Sequence, residues 1–379
     1  MTDTREIPDR ATSVVVGISG GVDSAVAALR LRRAGVAVQG LFMSNWDEDD
    51  AYCTVSADFQ DARAICRELG IPLHRVSFTE EYRQRVFADF LAEHRKGRTP
   101  NPDVLCNREI KFGVCLAYAR RLGGELLATG HYARRLDVAD GAALLRGVDP
   151  GKDQSYFLHA VGRAELARAI FPLGGLPKAE VRAMAREAGL PVHDKPDSTG
   201  ICFIGERPFR EFLTRHIDPR PGPIESDTGE RLGQHAGLAF HTVGQRSGLG
   251  VGGRASRPEA PWYAALKDMN RNVLVVVQGH DHPLLMSVGL ESGPAHWLTA
   301  APTEAFDATV KLRYRQSDQA ARITPQPDGR LHVDFAEPQR AVTAGQSVVI
   351  YSGDRCLGGA VIERTIPLMR RGAGVGGAV

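Results

Sequence analysis

Three groups of residues in this 379-residue chain have the types and spacing for chemistry. The first is Gly17-Ile18-Ser19-Gly20-Gly21-Val22-Asp23-Ser24. Glycines in such a turn let the backbone approach a ligand and take positive φ. At a helix N-terminus the unsatisfied N–H groups and the dipole make an anion site. Ser19 and Ser24 add hydroxyls, and Asp23 suits either fixing the turn or facing a metal. The second group is Asn101-Pro102-Asp103-Val104-Leu105-Cys106. Two prolines flank Asn101, which predicts a rigid loop through 107 and a helix from near Arg108. A cysteine at that helix N-terminus, beside Arg108 and Lys111, is expected to have a lowered thiol pKa and raised nucleophilicity. A half-buried cysteine in a stiff turn is an equally good reading on chemistry alone. The third is Cys202, inside an apolar stretch of 194–206 rich in turn formers, which in isolation reads as core.

The elements that must position these groups alternate. Ser13-Val14-Val15-Val16 reads as a buried strand and residues 25–33 as a helix. Residues 36–43 read as a second strand, 54–69 as a helix, and 73–78 as a third strand. A long helix is expected over 79–95, and a fourth strand over 125–129. This alternation predicts βαβ units around a parallel sheet, with ligands at the carboxyl ends of the strands. Met43 and Gly130 fall at such ends. Met43 is as good a core methionine as an adenine contact, and Gly130 suits a close backbone approach. Lys152-Asp153-Gln154 precedes a helix that Asp153 or Ser155 could cap. Pro177 starts another, over 178–188. Residues 218–223 read as a linker. Beyond it, β-like runs at 237–243, 262–266 and 272–278 suggest a small, mostly β domain. Strand-like runs at 308–315, 321–324, 331–335, 347–351 and 357–363 suggest an antiparallel β-barrel. The expected division is 12–216, 217–283 and 284–367, with a glycine-rich, disordered tail over 368–379. The span 248–255 reads as mobile.

Composition narrows the class. The chain is 43% hydrophobic with a net charge of +2, so no global charge points to nucleic acid. Nine basic residues between 83 and 121 outnumber four acidic ones, a surface that could meet phosphates or simply be solvated helix faces. No apolar run approaches membrane-spanning length, and the first dozen residues have no secretory pattern; a cytoplasmic protein is expected. The six cysteines show no C-x-x-C spacing, which argues against a disulfide framework and a zinc site.

The octapeptide lacks the lysine of G-x-x-x-x-G-K-[ST] and is not G-x-G-x-x-G. It resembles the PP-loop, S-G-G-x-D-S, of enzymes that activate a substrate with ATP as an adenylate and release pyrophosphate. With residues 41–46, 99–111, 129–132, 152–154, 198–206, 241–246 and 313–315, the chain resembles the tRNA-specific 2-thiouridylase family over nearly its whole length. The resemblance implies a doubly wound PP-loop α/β domain, a small β domain and a C-terminal barrel. It implies ATP-dependent replacement of the C2 oxygen of the wobble uridine by sulfur in tRNAs for lysine, glutamate and glutamine. It implies that Gly17, Ile18, Ser19, Gly20, Gly21, Val22, Asp23, Ser24, Met43 and Gly130 hold ATP, with Mg²⁺ shielding the phosphates. Asn101, Pro102 and Asp103 would meet the target base, with Asp103 a candidate acid–base group. Cys106 would be the nucleophile and Cys202 the persulfide carrier, so the two must meet, leaving a disulfide. His131, Lys152, Asp153, Gln154, Arg313, Tyr314 and Gln346 would contact tRNA. A cysteine desulfurase or a relay protein would donate sulfur. Three other readings stand beside this one. They are a different adenylating ligase or amidotransferase, an inactive RNA-binding module, and an iron–sulfur site using both cysteines.

Overall fold

Val14, Val15 and Val16 set the first layer. Side chains alternate along a strand, so Val14 and Val16 face one side and Val15 the other. All three are buried. Val14 and Val16 pack with residues of the helices Val22–Arg33, Val55–Leu69 and Lys178–Glu187, while Val15 packs with residues from 82 to 119. A strand apolar on both faces belongs inside a sheet covered on both sides. The computed structural model describes residues 6–46, 55–139, 141–197, 209–252 and 260–368, and it contains that sheet. Five parallel strands lie in the order Leu73–Ser77, Ala37–Ser44, Ser13–Gly17, Leu126–Ala128 and Ala169–Ile170. The winding reverses at Ser13–Gly17, so its carboxyl end and that of Leu126–Ala128 flank the crevice where ligands bind such folds.

Two expectations for the second face change. The segment 79–95 is helical throughout, but Arg83–Phe87 is a π turn between Thr79–Tyr82 and Ala88–Arg95. The expected rigid loop through 107 ends earlier, because a helix begins at Pro102 rather than near Arg108. Asn101 caps it, its side-chain oxygen accepting from the Asp103 N–H at 3.2 Å. Proline is well suited to the first helical position, where its missing N–H costs nothing. The chain continues as a π-helix over Cys106–Cys115 and an α-helix over Leu116–Arg121.

After the fourth strand, a hairpin of Ala133–Val138 and Gly141–Arg146 leaves the parallel sheet. The central domain is a four-stranded sheet of Trp262–Asp268, Val273–Gln278, Gly222–Ser226 and Arg231–His235. The expected strand over 237–243 is instead a 3₁₀ turn at Leu238–Phe240. Leu238 packs into the core of the central domain and Phe240 into that of the first, so the two side chains tie separate cores together. The final domain is an antiparallel barrel of Met286–Ser292, Leu331–Arg340, Gln319–Pro325, Phe306–Lys311, Ser347–Ser352 and Arg355–Pro367. Pairing of the first of these with the last closes it. Arg355 and Cys356 pair with Leu145 and Leu144, so the hairpin of the first domain extends the barrel's sheet. No helix among the described residues is long and apolar enough to cross a membrane. Residues 369–379 and part of 248–255 lie outside the described residues.

Candidate active site

The loop after the first strand is braced by its own side chains. The Ser24 hydroxyl accepts from the Ser19 N–H at 3.1 Å and donates to the Gly21 carbonyl at 3.0 Å. Gly20 has a φ of +80°, and a Cβ there would stand 2.5 Å from the Asp58 carbonyl oxygen. Only glycine fits such a position without strain. Gly130 lies against the loop from the neighbouring strand end; a Cβ on it would come within 2.8 Å of the Asp23 carbonyl carbon and 2.9 Å of the Ser24 nitrogen. Its smallness therefore seats the first turn of the helix Val22–Arg33. That helix has Gly21 as its N-cap and no capping side chain, so its first N–H groups face an anion site. Met43 is half-buried near the carboxyl end of Ala37–Ser44. Asn45 follows, and its buried side-chain oxygen has no partner among the described residues.

The loop has no lysine of its own, yet cations reach it from a later segment. One oxygen of Asp23 accepts from Lys178 Nζ at 2.6 Å and from the Tyr132 hydroxyl at 2.8 Å. Lys178 is only 9% exposed and sits at the first position of the helix Lys178–Glu187. A cation there opposes the helix dipole, which marks it as held by something else. Lys178, Arg182 and Lys152 all approach Asp197, at 2.8, 2.7 and 2.7 Å. Burial alone would raise the Asp197 carboxyl, but hydrogen bonds and charge from Lys152 and Lys178 hold it down at about 2. Lys195 joins Asp58 and Asp61 at 2.7 and 2.6 Å and donates to the Gly20 carbonyl at 3.2 Å. Tyr132, Lys178, Arg182, Lys195 and Asp197 were given no role from the sequence, where 194–206 reads as an apolar stretch rich in turn formers. The lysine at a helix start was the available signal.

The second group lies in a segment held by all three domains. From the barrel, Gln346 donates to the Thr99 carbonyl at 2.7 Å, and the Thr99 N–H donates to Ala344 at 2.9 Å. From the central domain, Lys267 donates to the Gly97 carbonyl at 2.9 Å. Burial lowers Lys267 to about 8. Tyr156 donates to the Ser347 carbonyl at 3.0 Å behind the segment. Asp103 is half-buried; burial raises its carboxyl, with Lys111 pulling the other way.

Cys106 is 1% exposed and opens the π-helix, one turn past the cap. The N-terminal dipole fades within a first turn, and Arg108 is exposed and paired with Glu109 at 2.7 Å. The expected placement at a helix N-terminus is thus corrected, because Pro102 starts the helix earlier. Cys66, Cys115 and Cys356 are buried thiols that burial raises to about 11, 12 and 12, as inert core cysteines should be. Cys202, with 198–206, lies outside the described residues.

The residues expected to contact tRNA divide by exposure. Arg313 is exposed and donates to the Ala341 carbonyl at 2.6 Å. Tyr314 is half-buried; it packs on Phe157 at 4.6 Å between ring centroids and donates to the Lys152 carbonyl at 3.2 Å. His131 is buried, 2.8 Å from the Thr129 hydroxyl, and burial followed by the Lys111 charge drives its pKa well down. Its ring lies 6.0 Å from that of Phe112 on the Cys106 helix. The Asp153 carboxylate is 4% exposed and accepts from the N–H groups of Gly147 and Ser155, both at 3.1 Å. Gln154 accepts from the Tyr132 N–H at 3.0 Å. Asp153 and Gln154 thus bond inward, and Gln154 steadies the tyrosine that braces Asp23.

Comparison with known proteins follows the same three parts. Residues 12–206 match the family model described as tRNA methyl transferase HUP domain. Residues 210–278 match a tRNA methyl transferase PRC-barrel domain, and 287–362 an aminomethyltransferase beta-barrel domain. Among curated proteins, the tRNA-specific 2-thiouridylase MnmA of Sodalis glossinidius is 56% identical over 94% of this chain and 97% of its own. That of Hahella chejuensis is 55% identical over 93% and 98%. That of Escherichia coli strain HS is 52% identical over 95% and 99%.

Proposed function

The chain belongs to the tRNA-specific 2-thiouridylase family, and from that premise we propose how its residues divide the reaction. The observation that carries this reading is an uncapped helix N-terminus at Gly21, ringed by cations, at the sheet end against which the Cys106 helix packs through His131. It uses ATP, whose phosphates lie along residues 17–24, with the adenine between Met43 and Gly130. The unclaimed Asn45 oxygen suits an adenine amino group. Among the described residues no three His, Cys, Asp or Glu side chains converge on a metal site. Mg²⁺ would have Asp23 as the protein carboxylate beside it, and when bound it would shield phosphate charge.

The substrate is the wobble uridine of tRNAs for lysine, glutamate and glutamine, drawn out of the anticodon stack onto Asn101, Pro102 and Asp103. Its C2 oxygen attacks the α-phosphorus, and pyrophosphate leaves with the bond's electron pair. Asp103, made more basic by burial, takes the N3 proton as the oxygen attacks. This step is needed because an oxide is a poor leaving group and AMP a good one. The terminal sulfur of a Cys202 persulfide then attacks C2. The Cys106 thiolate takes the Cys202 sulfur, giving a Cys106–Cys202 disulfide, and AMP departs. A cysteine desulfurase or relay protein of the cytoplasm recharges Cys202 after reduction. Arg313 and Tyr314 meet the tRNA, and Tyr314 holds the Lys152 carbonyl while the Lys152 side chain turns to Asp197. His131, Asp153, Gln154 and Gln346 shape the surface from behind.

Cys106→Ser and Cys202→Ser should each abolish 2-thiouridine, measured by mass spectrometry of digested tRNA, with tRNA affinity close to that of the unaltered protein. Appreciable 2-thiouridine from either variant would remove the two-cysteine mechanism.

A further inference from the structure

The carboxylate of Asp197 is surrounded as a phosphate would be. One oxygen accepts from Lys178 and Arg182, the other from Lys152, all between 2.7 and 2.8 Å. Charge-assisted bonds of this kind, here two from lysines and one from an arginine, are those used to hold phosphoryl oxygens. Lys178 also touches Asp23 at 2.6 Å, which places the three cations directly beside the loop. Without Asp197 the group would hold three positive charges against Asp23, with the Asp149 carboxylate on the Lys178 N–H at 2.9 Å. The neighbouring Lys195 donates to the Gly20 carbonyl, which ties the 195–197 segment to the loop by a second side chain.

We propose that Lys178, Arg182 and Lys152 form the subsite for the β- and γ-phosphates of ATP, and that Asp197 occupies it as an internal competitor until nucleotide arrives. The proposal rests on the reading that residues 17–24 bind ATP. A carboxylate carries one charge and a pyrophosphate several, so the nucleotide wins the exchange. When the α-phosphorus–oxygen bond breaks, the electron pair stays on pyrophosphate, which these cations hold. Return of Asp197 then assists its departure. The lysine that a common phosphate loop carries within itself is supplied here by a helix some 150 residues later in the chain, as the Lys178–Asp23 contact shows.

The test is calorimetric titration of the full chain with ATP, AMP and pyrophosphate, each with Mg²⁺. Asp197→Asn keeps the shape and removes the charge; it should bind ATP and pyrophosphate roughly three- to tenfold more tightly and AMP unchanged. Lys178→Ala and Arg182→Ala should weaken ATP and pyrophosphate about tenfold or more and AMP less than about twofold. Arg182→Lys, which keeps the charge, should recover part of the loss and guards against a folding defect. The subsite is overturned if Asp197→Asn leaves ATP affinity unchanged or weaker, or if the cation variants weaken AMP as much as ATP. If the unaltered protein binds neither ATP nor AMP, the ATP reading itself fails.

Discussion

Asp23 and Lys267 show how single side chains here carry burdens that only a site would justify. Asp23 spends one oxygen on both Tyr132 and Lys178, which aims the loop without a capping residue. Gly130 must stay small for that arrangement to survive. Gly130→Ala would press a methyl on the backbone of Asp23 and Ser24, and ATP affinity measured by calorimetry should fall at least about tenfold. Lys267 is a half-buried cation whose pKa falls from 10.5 to about 8 because its partial burial disfavours the charge. A depressed lysine costs stability while charged. Between about pH 8 and 10.5 the unfolded chain holds more protons than the folded one, so stability rises with pH there. The melting temperature of the unaltered protein, relative to Lys267→Met, should climb through that window. A flat difference would mean that Lys267 does not titrate as argued. At this scale the sequence was legible where a motif is contiguous, as at 17–24. It was illegible at Lys178, Arg182 and Asp197, because nothing local tells that distant charges meet.

The decisive elements are short. Pro102–Leu105 is a single helical turn, yet it moves Cys106 from a helix start to the second turn and into the core. Reading two prolines as loop was physically sound for Pro100, but Pro102 follows an asparagine that caps, and that pair starts a helix. Asn101→Ala should cost about 1 kcal/mol from the lost cap. It should also slow thiolation by more than that loss of stability would, since the residue faces the proposed base. Denaturant unfolding and single-turnover rates on one preparation separate the two effects; equal small losses would leave Asn101 a cap alone. The π-helix over Cys106–Cys115 had no signature in the sequence, since its apolar spacing reads as an ordinary helix. Such wide turns are enriched at functional sites, and this one begins at the proposed nucleophile.

Across the whole molecule, the three parts act on one segment. Gln346 of the barrel and Lys267 of the central domain both bond carbonyls of residues 97–99, just before the proposed base contacts. The barrel also shares its sheet with the hairpin of the first domain. Alternating strands and helices foretold the doubly wound domain, and strand-like runs at short intervals foretold the barrel. That shared sheet was not foreseen, because pairing between strands some 200 residues apart leaves no periodic trace. A calorimetric scan should therefore show the first and last domains melting together; two resolved transitions for them would contradict the shared sheet. The joint design serves a single claim, that ATP turns the uridine C2 oxygen into a leaving group before sulfur enters. It is tested most directly with tRNA carrying oxygen-18 at C2 of the wobble uridine, incubated with ATP and a sulfur source. Oxygen-18 is expected in the phosphate of AMP, with AMP, pyrophosphate and 2-thiouridine formed in equal amounts. Unlabelled AMP, or ADP in place of AMP and pyrophosphate, would contradict it.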